Sequence, residues 1–588
     1  MPLTPLAGPL GKKRAAHLLR RACIGASTAE IDAFANISAE EAVTQLFRTD
    51  LPDPPLPIDP ATGTEWISEV TDANSEEFQL GQYLNRWMIG QMLAVDVPAD
   101  QRLAYTLRER IVTFLHTLFT TKRSVVNNSR AIYFQNALFR QFAFDQQDVI
   151  IPSEEEEVPD TIYRRDLKKL SEKVSVDNAM LVFLDGRLNV RGNPNENYAR
   201  ELLELFTIGR GLEGAIPEPA FDGDYFTFTE QDVQEGAKVL SGFNIDRTFS
   251  NIDQETGLPR GVVKGTNFAT QHDNSTKVFS DRMGAGSISP DPTLLINSNA
   301  VEASVLDEIT QFIDLIYAQA ETSRHICRKL YRYFVYHQID EDLQNTLIQD
   351  LTDIFEANQC KIQPVLEALF TSVEFYEGAD GRTDDKFGAL IKSPIDLTLG
   401  FIKNFDITIP SYETDLNGFY EFMGDLTGRI NVMGLDYYEP FEVAGYPAYH
   451  QFPIYNRSWI TTNYLTFRYQ FVAQRFTVDD AMTGQVNVYD FVRNNIPESE
   501  ASDTESLVIA LAEYFLPMSE ELSFDAEASE LTAKRLNFFK EKLLFDGNPD
   551  PEAYWTERWT LGIDREDVSR QLNDLLNAML QSPEYQLM

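Results

Sequence analysis

Histidine, cysteine and long apolar runs are scarce in this chain, and each scarcity closes off a class of function. Three cysteines, Cys23, Cys327 and Cys360, are scattered over 588 residues. They form no disulfide framework and no C-x-x-C pair for zinc. Cys23 and Cys327 fall inside helical patterns, where buried thiols are expected. No stretch approaches a transmembrane span. The first 30 residues carry Lys12-Lys13-Arg14 and Arg20-Arg21 without a following apolar run, so no signal peptide is visible. The expected compartment on that basis is the cytoplasm, with envelope association or export alongside a partner as the alternative. There is no Walker A loop, dinucleotide fingerprint, Gly-x-Ser-x-Gly elbow or His-Glu-x-x-His helix. Basic residues are outnumbered: 50 Lys and Arg against 91 Asp and Glu give a net charge of −41. A phosphate backbone would be repelled, which argues against a nucleic-acid binder. The acidity itself reads first as a solubility device.

What is present is core material and helical patterning. Hydrophobic residues make up 43% and aromatics 12%, which excludes a disordered chain. Helical spacing recurs over 11–48, 76–95, 101–121, 130–144, 301–377, 385–405 and 459–588. In 101–121 it is carried by Leu103, Leu107, Ile111, Phe114, Leu115 and Leu118. Ser27 with Glu30 and Thr229 with Asp232 read as capping boxes. The run Glu154-Glu155-Glu156-Glu157 reads as a solvated loop. Residues 243–292 change character to Gly, Asn, Thr and Asp, with short β-prone pieces at Gly261-Val262-Val263 and Lys277-Val278-Phe279. The expected fold is mainly α: a large multi-helix globular architecture with a small irregular or β insertion near 243–292. The expected organisation is a main helical domain over 1–405 and, packed on it over 406–588, an aromatic loop-rich stretch (408–458) followed by helices.

The densest local signal runs from Asn193 to Gly209. Asn193 is the expected N-cap, Pro194 the first helical residue, Glu196 the reciprocal capping carboxylate and Gly209 the stop. Tyr198, Leu202, Leu205 and Phe206 fall on one apolar side. Asn197, Arg200, Glu201 and Glu204 gather on the other.

This segment, with Phe228-Thr229-Glu230-Gln231-Asp232-Val233 and Leu240-Ser241-Gly242-Phe243, resembles the signature of the bacterial "domain of unknown function 1800" family. Further matches are His17-Leu18-Leu19-Arg20-Arg21-Ala22 with Gly25, Phe114-Leu115-His116-Thr117-Leu118-Phe119, His272-Asp273 with Lys277 and Phe279, Lys392-Ser393-Pro394, Glu439 to Pro447, Trp459-Ile460 with Arg468, and Ser582-Pro583-Glu584-Tyr585. Phe243 and Tyr446 stand where the family usually has Trp, and Asn274-Ser275-Thr276 replaces a Gly-containing spacer. The resemblance implies a large helical bacterial protein and carries no established activity. It also implies a partner: a protein of the "domain of unknown function 1501" family, similar to phosphatases and sulfatases, is often encoded alongside.

Two readings of the polar residues follow. In the first, the protein is an enzyme or ligand-binding protein. Glu201 and Glu204, paired carboxylates on one helical face, and His272-Asp273, in a polar loop, are then catalytic or hold a divalent cation. Asn197, Arg200, Lys277 and His116 would contact substrate, although His116, flanked by apolar residues, reads first as a core histidine. The loop is expected to fold over the charged helical face, to within about 8 Å. In the second reading, the protein is a non-catalytic component of an envelope or export assembly. Arg200 and the glutamates then form a structural ion-pair clamp, costing roughly 3–5 kcal/mol to break if buried. The aromatic residues Tyr446, Tyr449, Phe452, Tyr455 and Trp459 read as packing anchors rather than a sugar-stacking face.

Overall fold

The computed structural model describes residues 3–68, 76–152, 160–377, 386–476, 485–517, 522–525, 531–544 and 547–588. The acid run at 154–157 lies outside them. The architecture is mainly α-helical, and its strands form small antiparallel pairs. One hydrophobic core runs from Leu10 to Tyr585 and passes across residue 405 without a break.

Sequence punctuation explains many of the elements. Ser27 and Glu30 cap the Thr28–Ala35 helix reciprocally, and Thr229 and Asp232 do the same for Glu230–Val239. Ser393 and Asp396 cap Pro394–Asn404, whose first residue is the proline. The Gly25 turn has φ +84°, and a Cβ there would lie 2.8 Å from the Gly400 Cα. Only glycine permits the first two helices to turn against Pro394–Asn404 at that distance.

The β-prone pieces of the insertion are strands. Val262–Val263 pairs with Phe243–Asn244, and Lys277–Val278 pairs with Ser287–Ile288. One sequence expectation needs correction. The aromatic 408–458 stretch is not loop throughout, because Leu416–Val432 is a helix of 17 residues. Gly418, Gly424 and Gly428 lower its helical propensity. Burial of Phe419, Met423, Leu426 and Ile430 at helical spacing overrides that cost. Among the described residues no helix is long and apolar enough to cross a membrane.

The Arg102–Leu118 helix is enclosed on all sides, so its polar residues are buried with its apolar ones. Glu109 takes Arg140 at 2.6 Å and Arg108 at 3.3 Å. Arg110 pairs with Asp396 across the centre of the molecule and stacks on the Tyr333 ring. Nearby cations bind carbonyl groups instead. Arg20 donates to the carbonyls of Tyr514 and Leu516, and Arg21 to those of Val335 and Lys386. Arg468 donates to Gln586 Oε1 at 2.7 Å and to the Lys392 carbonyl at 2.6 Å. Burial pushes Arg20 and Arg468 down to about 10, and burial together with Arg110 pushes Arg21 down to about 9. Asp396→Asn would leave Arg110 buried without its counter-charge. It is expected to cost about 3–5 kcal/mol in a urea melt; a loss under about 1 kcal/mol would show that the pair carries no structural weight.

Candidate functional site

The signature helix begins later than its sequence suggests. Asn193 closes a tight turn by donating its N–H to the Val190 carbonyl at 3.0 Å, and the helix spans Asn197–Glu201. Asn195, not Asn193, serves the first turn: its Oδ1 accepts from the Asn197 N–H at 3.0 Å. Asn195 is itself held by Asn189 Oδ1, and Asn189 Nδ2 donates to the Ala237 carbonyl. Tertiary contact with the Glu230–Val239 helix thus sets the start. The Glu196 carboxylate is not a reciprocal cap; it lies 3.4 Å from Arg200.

From Leu202 to Phe206 the helix widens into a π-turn. Thr207 Oγ1 donates to the Leu202 carbonyl at 2.5 Å, and the Gly209 N–H donates to that of Leu203 at 2.9 Å. The wider turn rotates the side chains that follow, so Leu203 is buried while Leu205 is only half-buried. Single π-turns inside α-helices occur frequently at functional sites. Gly209, at φ +69°, ends the element as expected, and a Cβ there would sit 2.3 Å from His325 Nδ1.

The polar face divides into paired and unpaired groups. Arg200 makes a two-pronged contact with Glu230 at 2.7 and 3.0 Å, and donates to Tyr225 Oη at 3.1 Å. The Arg200 and Glu230 side chains are 28% and 34% exposed, so this clamp is worth about 1 kcal/mol rather than the buried-pair figure. Glu204 is taken by Arg210 at 2.7 Å. Asn197 is exposed. Glu201 is half-buried, and among the described residues its carboxylate has no hydrogen bond or ion pair. Burial, reinforced by the Glu204 charge, pushes its pKa up to about 7.

The loop residues are fixed elsewhere on the same supporting helix. His272 Nδ1–H donates to the Ser241 carbonyl at 3.0 Å, just beyond the C-terminal end of Glu230–Val239. Its Nε2 faces Glu308 Oε1 at 3.3 Å, and Lys277 donates to the other oxygen of Glu308. The side chains of His272, Lys277 and Glu308 have no solvent exposure. Burial lowers the Lys277 pKa. Asp273 accepts from the Ser275 N–H and hydroxyl, while its own N–H donates to Ser241 Oγ. Arg200 is clamped at the opposite, N-terminal end of that helix, roughly 15 Å away along the axis. No hydrogen bond or ion pair among the described residues joins His272, Asp273 or Lys277 to Asn197, Arg200, Glu201 or Glu204. Among those residues, no group of three or more His, Cys, Asp or Glu is placed to hold a metal ion. His116 lies apart, boxed by the rings of Tyr437, Tyr438 and Tyr446, and burial pushes it down to about 4.

A model of the family described as "Protein of unknown function (DUF1800)" matches residues 17–587. The chain belongs to the DUF1800 family. No curated protein and no solved structure matches it. In this DUF1800 protein the signature helix thus combines a salt-bridged arginine with one carboxyl that has no partner among the described residues.

Sequence reasoning passed over a second polar cluster on the Ala320–Phe334 helix. Lys329 has no described partner, and burial pushes it down to about 8. It lines a cavity of about 20 Å³ with Arg332, Tyr333, Tyr449 and His450, room for about one water. Arg332 is held by Glu213 at 2.5 and 2.8 Å. The basic, aromatic character of that helix was the available signal.

Glu201 makes a pH-dependent stability difference testable. Its folded pKa lies above its unfolded value, so the folded state resists ionisation that the unfolded chain undergoes freely. The penalty is absent below about pH 4.5, grows as pH rises and is complete above about pH 7. Glu201→Gln should therefore stabilise the protein at pH 8 by about 1–2 kcal/mol, a figure discounted for partial solvent access. The gain should vanish at pH 4. A destabilised or unchanged variant at pH 8 would mean that Glu201 has a partner.

Proposed function

We propose that this protein is an enzyme or ligand-binding protein whose polar site lies on the signature helix and uses Glu201 as its proton-exchanging group. One observation carries the reading: a half-buried carboxyl that has no hydrogen bond or ion pair among the described residues, its pKa pushed up by burial and the neighbouring Glu204 charge. General acid–base groups are tuned in this way by burial and by like charge. Stability is given up at the site, as is common where function requires it. Glu204, Arg210 and Arg200 form the charged rim, with Asn197 at the exposed start of the helix. A divalent cation shared by Glu201 and Glu204 would have to displace Arg210 from Glu204. His272, Asp273 and Lys277 act as positioning residues in this reading, fixing the insertion against the helix that supports the signature.

The test needs no known substrate. Wild type and Glu201→Gln are incubated at pH 7 with a small-molecule extract of the native host, and retained or altered compounds are identified by mass spectrometry. At least one compound should be retained or converted by wild type and not by the variant. Identical profiles would remove Glu201 from function. The second reading, a non-catalytic component of an envelope or export assembly, draws on the closed His272–Glu308–Lys277 cluster, which has the form of a structural clamp. A phosphatase- or sulfatase-like protein of the "domain of unknown function 1501" family is the proposed partner in that case, recoverable by affinity capture from the host.

A further inference from the structure

A separate cavity of about 460 Å³ opens where the insertion meets the helices before the signature. Its size falls within the range of small-molecule sites. Val126, Ala131, Val182, Ile245 and Phe249 supply apolar wall, and Asn127, Asn128, Asn178, Asp246 and Arg247 supply polar wall. Asn127 and Arg247 are exposed, whereas Val126, Asn178 and Phe249 are buried.

The polar groups are oriented by bonds they have already made. Asn178 Oδ1 accepts from the Asp246 N–H at 2.8 Å, which fixes the sense of the amide. Its Nδ2 is buried and has no partner among the described residues, in a residue only 3% exposed. Leaving such a donor unsatisfied costs about 1–3 kcal/mol. Asn128 Oδ1 likewise caps the Ser129–Gln141 helix by accepting from the Ala131 N–H at 2.9 Å, so its NH2 group remains as a donor. Arg247 has no described hydrogen bond or ion pair. The one carboxylate in the wall is spent on its own loop. Asp246 accepts from the N–H and hydroxyl of Thr248 and from the N–H groups of Ser250 and Asn251. Behind the apolar wall, the Arg130 guanidinium stacks on Phe249 at 4.6 Å.

The cavity wall thus combines amide donors and the Arg247 guanidinium with apolar side chains, while its one carboxylate is already occupied. We propose that it binds a small amphipathic carboxylate. The acid group takes the Asn178 and Asn128 amides and Arg247, and the apolar body lies on Val126, Val182, Ile245 and Phe249. This site is independent of Glu201.

Calorimetric titration with hexanoate, and with hexanol and hexylamine as neutral and cationic controls of equal chain length, tests it on the full chain. Hexanoate should bind saturably at one site, roughly tenfold or more tighter than hexanol. Arg247→Glu, at an exposed position, should weaken hexanoate at least tenfold, and Val182→Trp should block it by filling the cavity. Glu201→Gln should bind as wild type does. The thermal midpoints of both cavity variants serve as the folding control. Equal binding of hexanol, tighter binding of hexylamine, no binding of hexanoate at 10 mM (about the weakest useful affinity), or binding indifferent to both folded cavity variants would each overturn the proposal.

Discussion

The buried Arg110–Asp396 pair is the interaction around which the rest of this molecule is organised. Asp396 caps its own helix through Ser393 and at the same time meets the guanidinium from a helix 286 positions earlier in the chain. A pair so enclosed gains little over apolar packing, but losing one partner is costly, so the two segments cannot drift apart. Around it, Arg20, Arg21 and Arg468 bind carbonyl oxygens at the ends of other elements, and Lys392 stacks 3.6 Å from the centre of the Tyr585 ring. Family motifs far apart in sequence, His17–Ala22, Lys392–Pro394, Arg468 and Ser582–Tyr585, meet in this cation-rich centre. These motifs join the first helix to the last residues of the chain.

Against that paired interior, the signature helix is an exception. Arg200 and Glu204 have charged partners and Lys277 is paired with Glu308, whereas the half-buried Glu201 carboxyl has no hydrogen bond or ion pair among the described residues. The π-turn that follows changes which leucine faces the core and places the carboxyl at the junction of two helical geometries. A chain with a net charge of −41 has many carboxylates; a locally destabilised one stands out by its environment rather than by its type.

Local signals in the sequence translated well. The capping boxes at Ser27 and Thr229, the helix predicted from the spacing of Leu107, Ile111, Phe114 and Leu115, and the two β-prone pieces of the insertion are all where residue chemistry put them. What failed was tertiary in origin. Asn193 has every property of an N-cap, but Asn189 and Ala237 hold the chain so that the helix starts only at Asn197, with Asn195 bonding its first N–H. No periodicity reveals a π-turn, so the apolar side expected from spacing includes half-buried Leu205 and leaves out buried Leu203. Glu308 and Glu230, the partners that decide the roles of Lys277 and Arg200, lie about thirty residues away in sequence, and charge alone does not match them. The Asn178 amide was invisible for the same reason: its meaning depends on a cavity formed by the Ile245–Phe249 loop.

The claim that the signature helix carries a proton-exchanging group rests on Glu201. Carbon-13 NMR titration of side-chain carboxyls, with Glu201→Gln to assign the signal, measures it directly. The account predicts a midpoint near 7 that disappears in the variant. A midpoint near the ordinary glutamate value of about 4.3 would contradict it and leave the signature helix with structural roles alone.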